Sequence, residues 1–171
     1  MKAEQPLHCI SVSPASVALL HVVYSTSTGH TEHVVDTLLP VLIRKDVTAE
    51  KQRAEAASAE DLLKGDVLLL ACGTWNTGGS EGQLHPHMHA LLTDRARAVD
   101  LNKKPCALIA LGDSRYYYTA RATEHLMKFV REHNGTMCVD PLILIGEPYG
   151  QEEKIAAWGQ KLLAKVTPKQ S

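Results

Sequence analysis

The heptapeptide Ser25-Thr26-Ser27-Thr28-Gly29-His30-Thr31 gathers five hydroxyl side chains around one Gly. It matches neither GxGxxG nor GxxxxGK[ST], having a single Gly and no Lys. Its donors are the hydroxyls of Thr26, Ser27, Thr28 and Thr31 together with backbone N–H groups. A run with helical spacing follows at once, so the stretch opens a helix, where unpaired amides and the helix dipole favour an anion. With neither a Lys nor a metal partner, it fits the terminal phosphate of a bound cofactor better than a phosphoryl group in transfer. The alternative is a Ser/Thr-rich turn that caps the helix and does nothing more.

Two further stretches offer flat surfaces. Gly73-Thr74-Trp75-Asn76-Thr77-Gly78-Gly79 carries a Trp, and Gly112-Asp113-Ser114-Arg115-Tyr116-Tyr117-Tyr118 ends in three consecutive Tyr. An aromatic side chain from each could sandwich a planar heterocycle. The alternative packs Trp75 and one Tyr on helix ends, although three successive loop Tyr residues cannot all be buried.

The elements that must place these stretches alternate along the chain. Val17 to Tyr24, Val67 to Cys72 and Cys106 to Leu111 are nearly continuous apolar runs, as strands buried on both faces read. Leu142 to Ile145 reads as another strand, and Val47 to Gln52 as a weak edge strand. Helical periodicity covers Thr31 to Leu42, where Pro40 predicts a kink or an early stop. It recurs from about Leu84 to Arg97, from Ala120 to His133 before the stop signal Asn134-Gly135, and from Glu152 to Val166. Ala59 to Leu63 reads as a short helical turn. Such alternation predicts an α/β fold: a five-stranded parallel sheet with helices on both faces in a three-layer sandwich. In such a sheet ligands bind outside the carboxyl ends of the strands, and all three loops follow strands there.

Bulk properties remove other classes. The 171 residues suit one domain over 17–167, with an N-terminal arm over 1–16 and a tail over 168–171. A formal charge of -1 argues against general nucleic-acid binding. No apolar run is long enough to span a membrane, and no signal-peptide core is sustained. Cys9, Cys72, Cys106 and Cys138 form no CxxC pair, which argues against a disulfide scaffold or structural zinc and makes the cytoplasm the default location. His85, His87 and His89 read as a solvent-facing or partner-facing cluster on a helix that Pro86 starts, and no metal site is expected there.

With these stretches in order, residues 17 to 166 resemble the flavodoxin family in its short form, since Leu142 to Glu152 leaves no room for the long form's insertion. The resemblance implies that FMN is the cofactor and that Thr26, Ser27, Thr28, Gly29, His30 and Thr31 form its phosphate loop. Thr74, Trp75, Asn76, Thr77 and Gly78 resemble the loop whose Trp lies on the inner flavin face. Tyr116, three residues after Asp113, takes the place of the outer stacking Tyr, with Asp113 and nearby backbone at the ring edge. Three departures stand out. His30 replaces an Asn-like residue, which ties FMN affinity to His titration. Asn76 replaces the Gly whose peptide turns toward reduced flavin, so one-electron reduction should be less favoured. The near-neutral charge departs from a strongly acidic norm and implies weaker electrostatic steering toward basic partners.

The function implied is an FMN-dependent low-potential carrier of single electrons, not an enzyme, working as a monomer between a reductase and acceptor oxidoreductases, with neither nucleic acid nor membrane as partner. Two alternatives stay open: a flavodoxin-like NAD(P)H-dependent quinone or flavin reductase, and a flavin-free interaction domain of the same fold.

Overall fold

A computed structural model describes residues 17–168. The elements run β1 (Ala18–Tyr24), α1 (His30–Leu42), β2 (Val47–Arg53), β3 (Val67–Trp75), β4 (Gln83–Leu84), α2 (Pro86–Ala90), β5 (Pro105–Gly112), α3 (Ala122–Glu132), β6 (Thr136–Met137), β7 (Leu142–Ile145) and α4 (Glu152–Val166). The arm expected over 1–16 and the tail beyond Pro168 lie outside the described residues. Among the described residues, no helix is long and apolar enough to cross a membrane.

The main sheet runs β2-β1-β3-β5, and β6 and β7 follow one another along the far side of β5. All these pairings are parallel, so the sheet has five positions in the order 2-1-3-4-5. The chain's direction of travel across the sheet reverses between β1 and β3. The outermost strand is interrupted at residues 138–141, where Pro141 has no N–H and the Asp140 carbonyl accepts from Trp158 Nε1 at 2.8 Å. Four residues separate its two halves, far too few for an inserted lobe.

Central strands are almost entirely apolar because both their faces are covered, with His21 of β1 the buried exception, bonded to Glu50 and Gln52. Along β3, Leu69 and Ala71 point into a core beneath α1 and α4, with Val34, Leu38, Ile155 and Leu162. Leu68, Leu70 and Cys72 point the other way, against Met88, Leu91, Leu126 and Phe129. The edge strand β2, VTAEKQR, buries only Val47, as its mixed sequence predicts. Helices α1 and α4 touch at Gly159, where an added Cβ would lie 2.7 Å from Leu38 Cδ1 and 2.9 Å from Val41 Cγ1.

Several boundaries differ from the sequence expectation for physical reasons. Pro40 does not end α1, which closes at Leu42 with the Arg44 guanidinium donating to the Pro40 carbonyl at 3.1 Å. β3 continues past Cys72 to Trp75 because β4 pairs antiparallel with Thr74 and Trp75. That same pairing delays the next helix to Pro86. After Ala90 the helix widens and ends with Ala96 N–H donating to Leu91 C=O at 2.8 Å, an i→i+5 bond. Ala120 has φ 55°, which no right-handed helix accepts, so α3 begins two residues later.

Candidate functional site

The carboxyl ends of β1, β3, β5 and β7 frame a cleft of about 880 Å³. Of the residues singled out by sequence, Thr26, Ser27, Thr28, His30, Thr31, Thr74, Trp75, Asn76, Asp113 and Tyr116 line it. Gly29, Thr77 and Gly78 shape the loops without lining the cleft. Gly146 and Glu147, from the turn after β7, complete the wall.

The Ser/Thr loop turns at Gly29, whose φ of 88° places it in the left-handed region, and α1 starts at the next residue. The Gly29 N–H donates to Thr26 Oγ1 at 2.9 Å, which leaves the Thr26 hydroxyl proton free to donate elsewhere. The first intrahelical bond runs from His33 N–H to Gly29 C=O at 2.9 Å, so the amides of His30, Thr31 and Glu32 are unspent. Thr28 and Thr31 also line the cleft, and neither hydroxyl has a side-chain hydrogen bond among the described residues. Glu32, the acidic residue of the first helical turn, faces away: it accepts from Tyr24 Oη at 2.9 Å and pairs with Lys51 and Arg53. Those contacts hold its carboxyl below the usual range, the Tyr24 hydrogen bond first. This end of the cleft is therefore rich in donors and suited to an anion.

His30 stays part-exposed but has a partner in the cleft wall. Its Nε2 lies 3.1 Å from Glu147 Oε2, and Tyr149 packs edge-on with ring centroids 5.7 Å apart. The pair joins the Ser/Thr loop to the turn after β7, across the cleft wall.

At the second loop, Trp75 folds back over Gly73, where an added Cβ would sit 3.2 Å from the indole nitrogen. It remains 39% exposed. Asn76 follows at φ -95°, ψ 43°, on the negative side of the map. Thr74 is committed to the framework: its hydroxyl donates to Leu111 C=O at 2.9 Å and accepts the Ala122 N–H at 3.3 Å. Thr77 likewise donates to Leu84 C=O and pins the hairpin.

In the third loop, Gly112 allows the chain to fold back on itself. A Cβ there would run into the Ala120 amide nitrogen and lie 2.6 Å from Thr119 Oγ1. Asp113 turns its carboxylate to the Arg115 amide, at 2.9 Å, and to the Arg115 guanidinium. These contacts, the guanidinium hydrogen bonds first, lower its carboxyl to about 2. The carboxylate is thus engaged locally, which leaves the backbone of this loop to meet a ligand. Tyr116 lines the cleft at 48% exposure, and Tyr117 stands 86% exposed. Tyr118 packs on Gly82 with Arg121 over its ring at 4.6 Å, which links this loop to the previous one.

One participant departs from the sequence expectation. His85 is not a solvent-facing member of a His cluster: it is 1% exposed, and its Nε2 lies 2.8 Å from Ser27 Oγ. It caps α2 by accepting the His87 N–H on Nδ1 at 3.1 Å, and its ring meets Trp75 edge-on at 4.8 Å. A polar residue just ahead of a helix-starting Pro is the signal that could have marked it as a cap. Among the described residues, no group of three His, Cys, Asp or Glu is placed to hold a metal. Burial pushes the Cys72 thiol up to about 11 and the Cys106 thiol up to about 12, so both are unreactive packing residues.

A family model described as Flavodoxin matches residues 22–158. A flavodoxin of Maridesulfovibrio salexigens is 27% identical over 146 residues, which cover 85% of this chain and 97% of that protein. Probable flavodoxin 2 of Bacillus subtilis is 28% identical over 139 residues, covering 81% and 89%. Among solved structures, oxidised flavodoxin 2 from Bacillus cereus matches with a TM-score of 0.78 and 24% identity, over 87% of this chain and all 100% of the other. A short-chain flavodoxin associated with a non-canonical PDU bacterial microcompartment matches with a TM-score of 0.75 and 21% identity, covering 86% and 97%. Members of the family are typically FMN-associated electron carriers rather than enzymes. Sheet order, uninterrupted length and the order of the three loops agree with these matches, and the chain belongs to the flavodoxin family in its short-chain form.

Proposed function

We propose that the cleft holds FMN and that the protein carries single electrons between a reductase and acceptor oxidoreductases. The carrying observation is that one cleft joins unspent donors at the N-terminus of α1 to two half-exposed aromatic side chains, Trp75 and Tyr116. The donor end fits a phosphate: the Thr26 hydroxyl is turned into a donor by Gly29, the Thr28 and Thr31 hydroxyls have no side-chain hydrogen bond among the described residues, and Glu32 is turned away. In this reading Thr26, Ser27, Thr28 and Thr31, with the amides of His30 and Thr31 nearby, form the phosphate end, while Trp75 and Tyr116 flank the ring. Asn76, Asp113 and the backbone around Thr74, Thr77 and Gly78 then border its polar edge. Bound FMN supplies one-electron redox chemistry, and the chain's own contribution is to bind it, orient it and shield it from water.

The reading makes the protein a monomer with redox proteins as partners, and puts it in the cytoplasm, which the buried thiols of Cys72 and Cys106 suit. Gel filtration of the purified protein with added FMN tests it. Flavin absorbance should co-elute with the protein at one equivalent. Protein that emerges colourless after reconstitution overturns the reading and leaves a flavin-free domain.

A further inference from the structure

The His85 ring connects two loops that the cofactor reading uses, through contacts with a defined direction. Its Nδ1 accepts the His87 backbone N–H at 3.1 Å, and an amide can only donate. The proton of the neutral ring therefore sits on Nε2, 2.8 Å from Ser27 Oγ. Nε2–H donates to that oxygen and occupies an acceptor site on it, so the Ser27 proton must seek a partner elsewhere. Ser27 is exposed and lines the cleft, so the cleft is where that proton can be offered. Burial keeps the ring in this neutral form by disfavouring the cation, with His87 acting in the same sense. Protonation would also place an N–H on Nδ1 facing the His87 N–H and break the cap of α2.

We propose that His85 is a positioning residue for the anionic end of the cofactor, fixing the Ser27 hydroxyl as an obligate donor and thereby selecting an acceptor-only group such as a phosphate. This rests on the FMN reading of the cleft. The edge-on contact with Trp75 at 4.8 Å makes the same ring a brace between the phosphate loop and the β3–β4 hairpin. A hydroxyl with no such partner could equally accept a hydrogen bond, and the site would discriminate less against ligands that lack the phosphate.

The test compares FMN with riboflavin, which has the same ring and no phosphate, by quenching of flavin fluorescence. Wild-type protein should prefer FMN. His85→Leu should weaken FMN about tenfold and leave riboflavin within about twofold. His85→Gln carries an amide N–H toward the position of Nε2–H and should restore most of the FMN affinity. Ser27→Ala, at an exposed position, should reproduce the FMN loss without loss of fold, and adding His85→Leu to it should cost nothing more. In the apo protein, nitrogen-15 shifts of the His85 ring at neutral pH should report the Nε2–H tautomer. Equal loss of both flavins in His85→Leu, additive loss in the double variant, or an Nδ1–H or cationic ring would each overturn the proposal while FMN binding stands. A wild-type protein that binds neither flavin would instead overturn the cofactor reading, and the proposal with it.

Discussion

Replacing Asn76 by Gly should raise the potential of the first one-electron reduction. The resemblance to flavodoxins implies that the residue after the inner Trp is commonly a Gly, whose peptide turns toward reduced flavin at positive φ. Here Asn76 lies at φ -95°, ψ 43°, and the left-handed residues of the hairpin are Gly78, Gly79 and Gly82, at φ 72°, 81° and 77°. Asn enters the left-handed region more easily than most side chains, yet still at a cost of about 1 kcal/mol relative to Gly. On the FMN reading that cost falls on the reduced state alone, since residue 76 is already negative in φ before any turn. On a scale of 59 mV per tenfold for one electron, about 1 kcal/mol corresponds to about 40 mV. Spectroelectrochemical titration of wild type and Asn76→Gly should therefore show the first couple raised by about 40 mV in the variant. The Kd for oxidised FMN should stay unchanged. A first couple that stays put or falls would show that φ at residue 76 does not limit the turn, and the reasoning from its backbone would be wrong.

Three other outcomes follow from the geometry. Gly112→Ala puts a Cβ against the Ala120 amide and 2.6 Å from Thr119 Oγ1; it should lower stability by about 1–3 kcal/mol in urea unfolding and displace the loop bearing Tyr116, weakening FMN. Arg115→Ala should let the Asp113 carboxyl rise from about 2 toward the ordinary value near 3.9, followed by NMR titration. Because that folded-state value is depressed, any stability from the pair is present above about pH 4 and lost as pH falls through about 2, and its exposure keeps the effect small. His85 is also depressed, chiefly by burial and then by His87, against Glu55 acting the other way. Its stabilising effect is therefore complete above about pH 6.5 and lost as pH falls below it, while the unfolded chain takes up a proton that the folded ring refuses. The melting temperature of wild type should fall more steeply from neutral pH into the mild acid range than that of His85→Gln, with the facing groups Ser27, Cys72, His87 and Glu55 unchanged.

What was legible in the sequence follows from how each feature is encoded. β1, β3 and β5 are covered on both faces, so their aliphatic runs announce themselves, and the loops behind them could be placed on one edge. β4 and β6 are two residues long and exist only through pairing with β3 and β5, which leaves no periodicity to read. The late start of α3 depends on the positive φ of Ala120, a residue type that ordinarily favours helix. His30 stands out by its type, but its partner Glu147 is remote in sequence and meets it only once β7 has docked. His85 shows the converse. In Leu-His-Pro-His-Met-His the alternation looks polar and exposed, whereas the β3–β4 hairpin folds the first His inward. The Asp113–Arg115 pair, two residues apart, was within reach of local reasoning.

The contact between α1 and α4 has a consequence for how the protein is made. Gly159 meets Leu38 and Val41 across most of the chain's length, and β7 joins the sheet from residues nearly as late. Long-range closures of this kind are slow to form and depend on a segment far along the polypeptide from α1. One wall of the cleft, at Gly146 and Glu147, belongs to that segment. During vectorial synthesis the Ser/Thr loop thus emerges early, while the wall it needs is still inside the ribosome. On the FMN reading, cofactor capture must wait for that segment to emerge, and a chain stalled before α4 would expose the apolar underside of α1.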